Sequence, residues 1–185
     1  AVLALGAVVE RFRSDDLEIH LSGGPVAAER MATEMMHNMT VFVGLSLVAV
    51  GVFLFALFRR AAAVVLPLIV VSLSIVSTFG AMGLLEMSLG IPTQILPSFL
   101  LAVGVGGSVH LLVIFFRGYD SGQSREEALA HALQHSGLAI VMTALTTAGG
   151  LISFLSAAVQ PVADLGIFAP LGIGLGLTYC MVLLP

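Results

Sequence analysis

Ile95–Phe116 reads ILPSFLLAVGVGGSVHLLVIFF, an apolar stretch with no Asp, Glu, Lys or Arg. A helix needs roughly 20 apolar residues to cross a hydrocarbon core, and this stretch supplies them. Four more runs have the same character: about Met39–Phe58, Ala61–Leu85, Gly137–Val159 and Leu165–Pro185. In lipid every backbone group must be satisfied within its own segment, so isolated spans of this kind are helices. The fold class expected is an all-α polytopic membrane protein.

Composition agrees. The chain of 185 residues is 58% hydrophobic and 10% charged, with a mean hydropathy of +1.10. A soluble domain of this size could not bury that much apolar surface in one core. A net charge of −4, with no lysine, leaves no electrostatic footprint for nucleic acid. The lone Cys180 excludes a disulfide or zinc framework. The sequence holds no GxSxG, HExxH or Walker loop, so no catalytic residue, metal or cofactor is expected and the chain is read as a non-enzyme. It is also read as a fragment of a longer protein.

If the five runs alternate across the membrane, Arg59, Arg60, Arg117 and Arg125 fall on one side, the cytoplasmic one by the positive-inside rule. Glu86 and Asp164 then lie near the short connections on the other. Residues 1–38 read as the end of an extracytoplasmic domain. Leu17–Leu21 alternates like a half-buried strand, Ser22–Pro25 breaks it, and Val26–Asn38 is a helix running into the first span. Between the third and fourth runs, Ser124-Arg125-Glu126-Glu127 fits a capping box. A short amphipathic helix over about 124–136, lying on the cytoplasmic membrane face, is expected there.

The candidate site lies in the third and fourth runs. Gly104, Gly106, Gly107 and Ser108 crowd the middle of the third, where small residues let helices approach closely. They serve packing alone, or packing beside a conduction route. His110 is the one ionisable His, Asp, Glu, Lys or Arg inside the five runs, and such a residue is a functional candidate by default. Two readings stand: a proton-relay residue, or a neutral imidazole bonded to a neighbour. In the fourth run Thr143, Thr146, Thr147 and Gly150 share one helix face. That face is helix–helix glue or, if it meets His110, one wall of a polar pocket.

The order of these pieces resembles one six-helix half of an exporter of the resistance-nodulation-division (RND) superfamily, in its MMPL or sterol-sensing-domain-like branch. Ile19–Pro25 resembles the end of that family's large extracytoplasmic loop, and Phe58-Arg59-Arg60 the hairpin between its second and third helices. Gly104–Arg117 resembles the fourth helix, Glu126–Leu129 with Gly137 the approach to the fifth, Thr143–Phe154 the fifth, and Asp164–Pro185 the Gly-rich sixth ending in Leu-Leu-Pro.

The resemblance implies helices two to six of a repeat, with a remnant of an α+β extracytoplasmic domain. It implies residence in the bacterial inner membrane and contact with membrane lipids. It also implies a hydrophobic or amphipathic substrate, proton-driven export, and a second half or a homo-oligomer as partner. The family's proton-relay acid would fall at position 107 or 106, and both are glycine here. An alternative is therefore a sterol-sensing-like lipid-binding or scaffold module that does not pump. A third reading is an accessory subunit of protein export.

Overall fold

The computed structural model describes residues 23–87, 90 and 92–184. The expected strand over 17–21 lies outside them. Five helices follow in order: α1 (Gly24–Phe58), α2 (Ala61–Leu84), α3 (Leu96–Asp120), α4 (Arg125–Ile152) and α5 (Gln160–Leu183). Short 3-10 turns at Pro92–Ile95 and Ser153–Ser156 precede α3 and follow α4. No strand occurs among the described residues, and all five helices are long and apolar enough to cross a membrane.

α1 begins at Gly24 with Pro25 in its first turn, where the missing N–H costs nothing because no intrahelical partner awaits it. It continues without interruption into the first apolar run. Among the described residues, those up to Phe42 belong to a separate unit, and the bundle proper begins at Val43. Only Leu54 of α1 is buried; Gly51 brings this helix within ordinary contact of Leu68 and Val64 on α2.

The hairpin from α1 to α2 uses just Arg59 and Arg60. Arg59 takes a left-handed φ of 53° and Arg60 is extended. Arg60 then pairs with Asp120 at the end of α3, 2.7 Å away, and its guanidinium lies 4.8 Å from the Phe116 ring centroid. That contact puts the start of α2 and the end of α3 at one end of the bundle, as the alternation of the runs requires. Both partners are substantially exposed, so the pair contributes about 0.2–1 kcal/mol.

α2, α3, α4 and α5 pack against one another. Lipid offers little hydrophobic drive between helices, so close approach and a few polar bonds must hold them. The Ser74 hydroxyl donates to the Gly172 carbonyl at 2.7 Å, and Ser77 and Tyr179 share a hydrogen bond of 2.8 Å, both tying α2 to α5. Gly172 sits in a tight approach: a methyl there would stand 2.6 Å from Leu100 and 2.7 Å from the Thr78 hydroxyl, so those side chains would have to move. Outward faces stay apolar, with Val76 67% and Val182 70% exposed, as a lipid-facing surface demands.

Three boundaries differ from those read in the sequence. The separate amphipathic helix over 124–136 does not form; those residues are the first turns of a continuous α4. The capping box is present: the Ser124 hydroxyl accepts from the Glu127 N–H, and the Glu127 carboxylate accepts from the Ser124 N–H at 3.0 Å. The Ser124 N–H, and then its hydroxyl donating to the same carboxylate oxygen at 2.9 Å, hold the Glu127 carboxyl below its ordinary value. Ala128 and Ala132 are fully buried, so the stripe meant for a membrane surface packs within the bundle instead.

The α-helix of the fourth span ends at Ile152, and its 3-10 turn at Ser156, rather than at Val159. Ser153 and Ser156 bond back to the carbonyls of Gly150 and Ser153, tightening the last turn. The fifth starts at Gln160, with Pro161 in its first turn. Asp164, expected near a connection, is therefore inside α5 and only 4% exposed.

Candidate functional site

A cavity of about 330 Å³ opens among α2, α3, α4 and α5. Its lining is mostly apolar, and its polar groups come from Ser74, His110, Thr143, Thr147 and Cys180. The sequence named three of these, His110 as the one ionisable residue in a span and Thr143 and Thr147 by periodicity, and the fold brings those three together. His110 is an exposed side chain at the cavity wall rather than a core residue.

The threonines are bound to their own helix. Thr143 donates to the Ala139 carbonyl at 2.8 Å and Thr147 to the Thr143 carbonyl at 2.7 Å. Thr146 donates to Met142 and does not line the cavity. Ser108 also misses it. Fully buried, it donates to the Gly104 carbonyl at 2.9 Å and reaches the Cys180 Sγ at 3.8 Å, bridging α3 to α5.

The glycines divide in two. Gly104 meets Val71 of α2, where a methyl would stand 2.8 Å from Cγ2, and Gly107 meets Ile140 of α4 at 3.3 Å. Both permit close approach. Gly106 and Gly150 meet nothing within 4 Å, so they are not packing residues among the described elements. Gly106 lines the cavity instead, and no side chain narrows it at that point.

Ser74, Gly172, Gly176 and Cys180 were not singled out as site residues from sequence. A usable signal existed: Ser74 and Thr78 on α2, and Gly172 and Gly176 on α5, each repeat at four residues, the spacing of one helix face. Cys180 closes the same face of α5. Among the described residues no group of three or more His, Cys, Asp or Glu side chains is placed to hold a metal. The site can hold a small apolar guest with a few polar contacts.

Two proteins resemble the chain. MJ1562 of Methanocaldococcus jannaschii, named as a membrane protein, is 27% identical over 91% of this chain and 44% of its own length. ActII-3 of Streptomyces coelicolor, also named as a membrane protein, is 28% identical over 97% of this chain and 26% of its own. The chain thus spans less than half the length of either relative. No solved structure matches it significantly. The profile of one family covers the whole sequence, residues 1–185, and by that match the chain belongs to the MMPL family.

Proposed function

We propose that the chain is part of a transmembrane exporter of lipids or other hydrophobic or amphipathic compounds, driven by the proton-motive force. Membership of the MMPL family supports a transporter-like role. The observation that carries the reading further is the cavity. Its apolar lining, polar groups and size match the ordinary character of small-ligand sites. A guest held there needs a greasy body and a small polar handle, which is what an amphipathic molecule offers.

The same reading assigns the chain to the bacterial inner membrane, with the end bearing Arg59, Arg60, Arg117 and Arg125 in the cytoplasm. It works as a carrier and not as an enzyme. Its partner is a second half of the same kind, or a second copy, and the greater length of the relatives leaves room for the former. Membrane lipids cover the outward faces.

The test uses the full-length protein in proteoliposomes carrying a fluorescent amphiphile. Movement of the probe that follows an imposed pH gradient and stops with an uncoupler is the expected result. No movement under any gradient sinks the reading. One observation favours a second function, a sterol-sensing-like module that binds lipid without pumping: α3 carries glycine at 106 and 107, and glycine cannot bind a proton. That module would bind lipid equally with and without a gradient, and Gly107→Asp would leave it unchanged.

A further inference from the structure

His131 and His135 lie on α4 away from the cavity lining. They are one helical turn apart, so both side chains leave the same side of the helix. Their rings stand side by side, with centroids 5.9 Å apart and planes tilted by 29°. Both residues are exposed, and a ligand can reach them from water.

The helix beneath the pair is held in place. Ser124 and Glu127 cap its start, and Ala128, Ala132 and Ser136 are buried against the bundle. The backbone that carries the two rings is therefore ordered before any ligand arrives, which lowers the entropy lost on binding. Glu127 stands one turn before His131 on the same side and adds a negative charge there.

Imidazole binds borderline dications such as copper, nickel and zinc through a ring nitrogen, whereas magnesium and calcium take oxygen ligands. Two histidines at i and i+4 on a helix present two such nitrogens to one ion. A metal–nitrogen bond of about 2.0–2.1 Å and a tetrahedral angle would set the ring centroids roughly 5 Å apart. The pair stands at 5.9 Å without an ion. Closing a gap of about 1 Å asks only for small side-chain rotations, which exposed residues make freely.

We propose that His131 and His135 form a two-histidine site for a transition-metal dication of the copper, nickel and zinc class. Each ring contributes one nitrogen, and water completes the shell. Among the described residues no third His, Cys, Asp or Glu is placed to join them. The site is thus open, unlike a structural zinc site, which closes its shell with protein ligands. A bound ion clasps two successive turns of α4 beside the buried Ala132. Binding here needs no transport, so it stands apart from the exporter reading.

The test uses the full-length protein in lipid nanodiscs, without a polyhistidine tag. Added Cu²⁺ should show two imidazole nitrogens in its pulsed paramagnetic resonance spectrum. One imidazole or none in the parent overturns the proposal before any variant is made. His131→Gln and His135→Gln should each leave one, and weaken binding at least about tenfold, the loss seen when even a supporting partner of a ligand is removed. His37→Gln, on α1, should change neither reading. A two-imidazole spectrum that survives in both α4 variants places the ion elsewhere and also overturns the proposal.

Zn²⁺ should slow amide hydrogen exchange over the first turns of α4 in the parent and not in either α4 variant, and Mg²⁺ at the same concentration should not slow it. Exchange unchanged by Zn²⁺, or slowed equally by Mg²⁺, overturns the clasp. If amphiphile transport proves absent while these results hold, the exporter reading fails and the metal site stands.

Discussion

Gly166→Ala and Gly174→Ala should move stability in opposite directions, though both add one methyl to the same helix. At Gly166 the methyl carbon would stand 2.6 Å from the Leu155 nitrogen and 3.0 Å from the Phe154 carbonyl carbon. Comfortable contact needs about 3.5 Å or more, so α5 and the 3-10 turn must separate by roughly 1 Å. Backbone atoms cannot swing aside as a side chain does. Overpacking of this kind costs about 1–3 kcal/mol. At Gly174 nothing lies within 4 Å, so the methyl meets no neighbour.

Replacing a mid-helix glycine by alanine favours the helix by about 0.5–1 kcal/mol at either position. That gain cancels between the variants, and their difference isolates the clash. Gly174→Ala should be stabilised by the helical gain and Gly166→Ala destabilised by what the clash leaves over. Reversible unfolding of the full-length protein in mixed micelles reads both. A difference under about 0.5 kcal/mol, the size of an ordinary surface change, refutes the packing argument.

Three further outcomes are expected. His110→Ala should lower amphiphile transport while expression stays normal; transport equal to the parent removes His110 from the mechanism. Ser124→Ala should weaken the start of α4 by about 1 kcal/mol, read as faster amide exchange over its first turn. Because Ser124 depresses the folded-state pKa of Glu127, that carboxylate's contribution is complete above its ordinary value of 4.5 and fades as pH falls through the lower folded value. Ser124→Ala keeps the backbone N–H bond and removes only the hydroxyl's share, so it should weaken this acid dependence in part without abolishing it. Arg60→Ala should cost about 1 kcal/mol or less, with the effect shrinking in salt. A loss above about 2 kcal/mol would mean that the exposed pair with Asp120 does more than clasp two helix ends.

The spans were legible because a bilayer imposes a long apolar run that few other structures need, and Ile95–Phe116 meets that demand by itself. The capping box at Ser124 was legible because its two bonds lie within four residues. What failed was the assumption that polarity marks an end. The charge of Asp164 was taken to stand just outside the fifth span, whereas Pro161 starts α5 before it. The polar face of residues 124–136 was taken for a separate surface helix, whereas buried Ala128 and Ala132 carry α4 straight through. The cavity was half legible. Periodicity groups Thr143 with Thr147 on one helix, but it does not tell which neighbour a face meets. Ser74, Gly172 and Cys180 join His110 only through tertiary packing, and Ser108 leaves it for the same reason.

The continuity of α4 also has a mechanical side. From Arg125 to Ile152 it is a single rod about 42 Å long, with no proline or interruption to act as a joint. Ala128 and Ala132, fully buried against their neighbours, make a natural fulcrum near one end. About 30 Å of helix lies beyond Ala132, so a tilt of about 5° there sweeps Ile152 through nearly 3 Å. Thr143 and Thr147 ride on that arm. A push at the water-exposed cap would therefore reach the cavity wall amplified, as a short handle moves the far tip of a long lever.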